Sequence, residues 1–250
     1  MLRMLLKRHL PHVPKGIMNS YVSLDLETTG LSPKLDKIIE IGAVKVIDGE
    51  IVDNFSEFLN PGRKLEEKTI ELTGITEEDL KDAPEAAEVI PKLLEFCEDL
   101  PLVGHRSLFD YSFVKHAAVN LKLSFEKEGV DTLKISRACH PELDSKRLCA
   151  MCEHYAIPLQ AHRAYNDALA TARLFECLKK NFAVRYPEFF EPKKLVYQIK
   201  RESPIRPLQI VKIKKLLDLY KVECPYEMEK MTRNEASRYI DKLMAQYGKK

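Results

Sequence analysis

The sequence predicts an α/β domain on a mixed sheet with a small helical appendage, and three observations carry that prediction. Strand-length apolar runs alternate with helical periodicities through residues 20–182. The dipeptide Asp48-Gly49 sits between two β-branched runs, a hairpin signal that places an antiparallel pair in the sheet. Prolines at 187, 192, 204 and 207 then separate this body from a Lys-rich tail with helical periodicity.

The elements follow in order. Tyr21-Val22-Ser23-Leu24-Asp25-Leu26-Glu27 reads as a strand that ends in a turn at Gly30. Lys37 to Ile47 and Ile51 to Phe58 form the two arms of the hairpin. Pro84 opens a helical stretch through Cys97, and Leu102-Val103 is a short strand. Ser107 to Val119 is a helix with Phe109, Phe113 and Ala117 on one face. A short buried strand near Val130 leads to helices around Leu133–Cys139 and Lys146–Tyr155. Ala164 to Phe182 is a long helix whose Ala168, Ala172, Phe175, Leu178 and Phe182 recur every three or four residues. In the tail, Leu208 to Tyr220 and Arg233 to Tyr247 read as amphipathic helices, the second opened by the capping box Thr232-Arg-Asn-Glu235. Their predicted shared core is Leu208, Val211, Leu216 and Leu217 against Ala236, Ile240 and Leu243.

The 250 residues are 45% hydrophobic and 31% charged, the composition of a globular chain, and no apolar run reaches the ~18 residues of a membrane span. The basic segment Met1 to His9 has too short an apolar stretch for a signal peptide and no small-residue cleavage site, so a cytoplasmic protein with no membrane partner is expected. Six scattered cysteines fit a reducing compartment, and Cys149 and Cys152 read as buried thiols on an amphipathic helix rather than half of a zinc site. Residues 192–250 hold 15 Lys and Arg against 7 Asp and Glu, whereas the rest of the chain holds 25 against 31. A basic tail on an acidic body points to a polyanionic partner, or else to solvated Lys-rich helices.

Strand side chains alternate, so Asp25 and Glu27 project from one face while Leu24 and Leu26 take the other. No Lys or Arg lies between Asp25 and Lys34, so the two acids repel unless a cation joins them, and an oxygen-only pair suits a hard divalent ion. Two further segments carry acids at helix starts, Gly104-His105-Arg106-Ser107-Leu108-Phe109-Asp110 and His162-Arg163-Ala164-Tyr165-Asn166-Asp167. Ser107 and Asp110 also resemble a helix-capping pair, and an acid in a first turn is favoured in any case. Five residues turn a helix ~140° past its start, so His162 and Asp167 can face one site only with His162 on the preceding loop.

Taken in order, Asp25-Leu-Glu27-Thr-Thr-Gly, Gly-His105-Arg-Ser-Leu-Phe-Asp110 and His162-x4-Asp167 resemble the three motifs of the DEDDh 3′→5′ exonucleases. The similarity is greatest to the proofreading exonuclease of bacterial DNA polymerase III. It runs from about Tyr21 to Phe182 and includes Ile38-Ile39-Glu40-Ile41-Gly42-Ala43 and Leu72-Thr73-Gly74-Ile75-Thr76. It implies a ribonuclease H-like fold. The domains expected are a basic extension at 1–19, an exonuclease domain at 20–186, a linker at 187–203 and a small basic helical module at 204–250. By the same resemblance Asp25, Glu27, Asp110 and Asp167 hold two Mg2+ or Mn2+ ions and His162 is the general base. Thr28, Leu31 and Phe109 meet the terminal nucleotide. Arg106 stands where the family usually has Asn.

The activity implied is hydrolysis of single-stranded or frayed DNA 3′ ends to nucleoside 5′-monophosphates, in proofreading or repair. An RNA-trimming exonuclease shares the motifs, and a non-catalytic nucleic-acid-binding module is the reading from another class. Any polymerase or repair complex is expected as a partner in trans.

Overall fold

The computed structural model describes residues 17–248, so most of the basic extension predicted at 1–19 lies outside the described residues. Strand β1 (Tyr21–Thr28) is followed by the hairpin of β2 (Ile38–Ile47) and β3 (Glu50–Phe58). Asp48 and Gly49 both have positive φ, 50° and 85°, the tight turn whose twist matches the strands it joins. Helices α1 (Glu67–Thr73), α2 (Glu77–Leu80) and α3 (Ala86–Cys97) lead to β4 (Leu102–Gly104). Next come α4 (Ser107–Asn120), β5 (Glu128–Asp131), α5 (Thr132–Cys139), α6 (Leu148–His154) and α7 (Ala164–Phe182). A two-residue strand β6 (Lys193–Lys194) and helices α8 (Pro207–Tyr220) and α9 (Arg233–Tyr247) complete the chain. The short helices α1 and α2 have no counterpart in the sequence reading.

The six strands lie in the order β3-β2-β1-β4-β5-β6. The β1–β2, β2–β3 and β5–β6 pairs are antiparallel, whereas β1–β4 and β4–β5 are parallel, which gives the predicted mixed sheet. β1 is central and divides its residues between two cores. Val22, Leu24 and Leu26 join Val89, Ile90 and Leu93 of α3 and Phe113 and Val114 of α4. The alternate residues face α7: Tyr21 meets Phe175 edge to face at 5.1 Å, and Ser23 Oγ donates to the carbonyl of Ala168 at 2.7 Å. Alternation therefore carries Asp25 and Glu27 to the end of the same face, beside the start of α7.

α7 comes down onto the sheet where β2 lacks a side chain. Gly42 pairs with Asp25 across the ladder, and a Cβ on it would lie 2.0 Å from the carbonyl carbon of Ala164 and 2.1 Å from the amide of Tyr165. The close approach of helix backbone to strand backbone thus depends on glycine.

The predicted linker is not a free connector. Phe190 is fully buried in the α7 core with its ring 6.0 Å from Phe175, and β6 adds an edge strand against β5. Proline marks the segment, but its apolar residues tie it to the body. In the module, Ile213 of α8 is buried with Ala236, Tyr239, Ile240 and Leu243 of α9. Leu208 and Val211 are instead 81% and 50% exposed. Ile213, Leu216, Leu217 and Tyr220 form one helical stripe toward α9, and Leu208 and Val211 fall off that stripe.

The module docks on the body. Arg63 bridges Tyr226, the Glu227 amide donates to the Gly62 carbonyl at 2.9 Å, and Glu235 binds Lys37 and Arg63 at 3.0 and 2.7 Å.

Gly42→Ala is expected to destabilise the fold by about 1–3 kcal/mol, as overpacking does, and to displace the start of α7. Chemical denaturation checks the first effect and loss of divalent-ion binding checks the second.

Candidate active site

Four acids from three elements converge at the end of β1. Asp25 and Glu27 come from β1, Asp110 from the first turn of α4 and Asp167 from the first turn of α7. Asp25, Glu27 and Asp167 each offer a carboxylate oxygen, all within 4.8 Å of one another. Asp110 stands outside this trio but is buried, and its charge acts on Asp25.

Crowding and burial disfavour ionisation. Burial, followed by the charges of Asp110, Asp167, Glu27 and Glu40, holds Asp25 well above the ordinary carboxylate range. Glu27 is raised to about 7 by burial and by Asp167 and Glu40, against the pull of Arg163. Asp110 and Asp167 are also raised, chiefly by burial. Backbone N–H groups partly offset this, those of Leu26 and Asp110 itself at Asp110 and that of His162 at Asp167.

The cluster meets the requirements of a hard cation. Its donors are all carboxylate oxygens, and Asp167 Oδ1 is buried with no hydrogen-bond partner. Its other oxygen accepts the His162 N–H at 3.1 Å. A buried acceptor left unpaired is costly, and a bound ion would satisfy it.

His162 lies on the loop before α7, as the turn geometry requires, with φ of +66°. It is exposed, and its main chain rather than its ring bonds Asp167. Thr28 is partly buried, and its hydroxyl donates to the Gly30 carbonyl at 2.6 Å. Leu31 is 79% exposed on the loop leaving β1. Phe109 is half-buried against Phe113, with ring centroids 5.0 Å apart.

Ser107 does not cap α4. Arg106 occupies the cap position in the left-handed region at φ 91°, with no side-chain cap bond, and Ser107 is already helical. The Arg106 N–H instead donates to Asp131 Oδ1 at 3.0 Å, and its guanidinium lies 5.7 Å from the Phe109 ring centroid. Asparagine tolerates that backbone better than arginine does, which gives the family residue at this position a conformational reason. His105 is a tether: Nε2 meets the Lys146 carbonyl at 2.8 Å and Nδ1 meets the Thr132 hydroxyl at 2.9 Å.

The sequence reading missed Glu40 and Arg163. Glu40, 2% exposed and opposite Glu27 on β2, accepts from Arg163 Nε and Nη2 at 3.1 and 3.0 Å and from the Ala164 N–H at 3.1 Å. These bonds fix the start of α7. The signal in the sequence was an acid within the apolar strand Ile38-Ile39-Glu40-Ile41. All six cysteines are free, and among the described residues none joins a metal-ligand cluster; Cys152 is buried as expected, whereas Cys149 is exposed on the outer side of its helix turn. Among the described residues no helix is long and apolar enough to cross a membrane.

A mixed sheet with an oxygen-only acidic cluster at the end of its central strand defines a class of metal-binding nucleases. Residues 22–175 match the RNase T family, described as exonuclease, and the chain belongs to that family as a DEDD-type 3′→5′ exonuclease. It is 44% identical over 161 residues to the PolC-type DNA polymerase III of Caldanaerobacter subterraneus, a match covering 64% of this chain and 12% of that protein. With the Bacillus subtilis PolC-type DNA polymerase III the identity is 36% over 240 residues, covering 90% and 17%. The chain thus spans less than a fifth of either relative. Exonuclease X, solved in complex with 5′ overhanging duplex DNA, superposes with TM-score 0.55 at 26% identity, over 68% of this chain and 97% of that one. E. coli exonuclease I with a dT13 oligonucleotide shares the fold at TM-score 0.59 and 20% identity, over 69% and 43%.

Two outcomes follow from these environments. Arg106→Asn should stabilise the protein by up to about 1 kcal/mol, because it relieves a left-handed backbone, whereas Arg106→Ala should not. Thermal melts of the two variants check the difference. The second concerns pH. Glu27 moves from 4.5 unfolded to about 7 folded, so its share of metal-free stability is full below 4.5 and is lost as pH rises through 7. Denaturation in EDTA should show that loss between about pH 5 and pH 8, and Glu27→Gln should flatten it.

Proposed function

We propose that the chain hydrolyses single-stranded or frayed DNA from the 3′ end and releases nucleoside 5′-monophosphates. The observation that carries this reading is the trio Asp25, Glu27 and Asp167, together with the unpaired buried Oδ1 of Asp167. DNA is favoured as substrate because the relative exonuclease X was solved with an overhanging duplex.

Asp25, Glu27, Asp110 and Asp167 are the residues that would hold two Mg2+ or Mn2+ ions, Asp25 lying among the other three charges. Such a pair of ions, when bound, activates the attacking water and stabilises the departing 3′ oxygen. The rest of the work falls to the protein. His162, on a solvent-facing loop tied to Asp167, takes the proton of the attacking water, a transfer an imidazole can make near neutral pH. Exposed Leu31, Thr28 near it in the chain and half-buried Phe109 hold the terminal nucleotide by apolar contact and stacking, which tolerates any base. Glu40 and Arg163 keep the start of α7, and with it Asp167, in register with β1. Proofreading or repair beside a polymerase is the setting we infer from the PolC-type relatives.

Asp25→Ala or Asp167→Ala should abolish cleavage of a 5′-labelled DNA oligomer without lowering metal-free stability, because each relieves repulsion in the cluster. Robust Mg2+-dependent cleavage by either would sink the assignment. His162→Ala should reduce turnover by ~10²–10⁴-fold while divalent-ion binding persists. Parallel assays on DNA and RNA oligomers, with and without EDTA, separate the DNA reading from RNA trimming.

A further inference from the structure

The seam between the C-terminal module and the loop leaving β1 collects positive charge. A groove of about 390 Å³ along this interface is lined by both signs, Asp36 and Glu85 among the acids and Lys37 and Lys230 among the bases, whereas the one of about 600 Å³ at Lys34 sets Lys34, Lys200 and Arg201 against the single acid Glu202. Lys34, Lys200 and Arg201 are exposed and form no ion pair among the described residues. The acid in the groove, Glu202, is engaged: its Oε1 accepts from Asn234 at 3.3 Å and its N–H donates to Asn120 Oδ1 at 2.9 Å. Arg238 of α9 adds another cation, its Nη2 donating to the Lys34 carbonyl at 3.1 Å.

This gathering of cations is built by docking. Glu235, buried at the start of α9, binds Lys37 and Arg63 through Oε1 and accepts the Thr232 N–H through Oε2 at 2.8 Å. Arg63 also donates to the Leu35 carbonyl at 2.8 Å. Residues 34 and 37 of the loop are therefore gripped from the module and residue 35 by Arg63, which Glu235 of the module holds in turn, and the same loop carries exposed Leu31.

We propose that this seam holds the phosphodiester backbone of a single strand upstream of its 3′ end, a role that rests on the exonuclease reading above. Exposed, unpaired cations along a groove attract a polyanion at long range and gain by releasing its counterions. The groove is lined by Lys34 of the loop that follows β1, the strand that carries Asp25 and Glu27, so its cations adjoin a segment that leads directly from the acids. The site uses one residue of the catalytic body and two of the segment joining it to the module, so neither part forms it alone.

The experiment measures equilibrium binding of DNA and RNA oligomers of about 20 nucleotides across a salt series, with the full chain carrying Asp25→Asn to prevent degradation. The triple variant Lys34→Gln, Lys200→Gln, Arg201→Gln should bind more weakly and lose about 2 from the magnitude of the log–log salt slope, at ~0.7 per contact on a single strand. A control with the same net charge, Lys92→Gln, Lys122→Gln, Lys180→Gln, should keep the parent slope. Glu235→Lys sets a third cation against Lys37 and Arg63 and should reproduce the loss of affinity. Equal losses on DNA and RNA support backbone recognition, whereas a loss confined to one polymer overturns it. A triple variant that matches the control, or full affinity in Glu235→Lys, also overturns the proposal. Absence of Mg2+-dependent cleavage by the unmodified chain would instead undo the exonuclease reading and leave the binding result standing.

Discussion

Mutual repulsion among carboxylates at the meeting point of β1, β2 and α7 is the constraint on which the rest of the structure depends. Asp25, Glu27, Asp110, Asp167 and Glu40 all contribute negative charge to one small region, and burial raises the cost of each. Such a cluster is stable only if surrounding contacts hold it. One acid, Glu40, is spent on structure: paired with Arg163 and the Ala164 N–H, it anchors α7 instead of joining the cluster. Gly42 lets the helix backbone come close enough for Asp167 to reach Asp25 and Glu27.

The two faces of β1 share this task unequally. One face is apolar throughout and binds α3 and α4 by area alone. The other begins apolar at Tyr21, turns polar at Ser23 and ends in the acids, and α7 follows the same gradient from Phe175 through Ala168 to Asp167. The buried end supplies the stability that the acidic end consumes. Two of the seven non-glycine residues with positive φ among the described residues, Arg106 and His162, stand at this rim, at the starts of α4 and α7.

The C-terminal module is joined to this frame through few but specific contacts. Its own core is small, and its docking rests on a backbone bridge at Arg63 and Tyr226 and on one buried carboxylate, Glu235. Burial of Glu235 is balanced by two cations and a main-chain N–H, and its carboxyl sits below the usual range because Lys37, the Thr232 N–H and Arg63 outweigh desolvation. The loop after β1 thereby belongs to both parts.

Local chemistry made much of this legible in the sequence. Alternation fixed the common face of Asp25 and Glu27, the Asp48-Gly49 turn fixed the hairpin, and helical periodicity located α4 and α7, since each signal arises from neighbours in the chain. Motif order identified the acids, but their approach within 4.8 Å required β1 and α7, far apart in sequence, to pack together. Glu40 looked like an anomalous acid in an apolar strand, and only its partner Arg163 across the fold gave it a role. The prolines marked a linker because proline acts locally, and the contacts by which Phe190 and β6 of that segment meet the body are not contained in the local pattern. Residue identity thus determined which acids are available to the cluster. Tertiary packing decided which groups meet, how strongly burial opposes their charge, and that the basic module lies against the loop leading from the site.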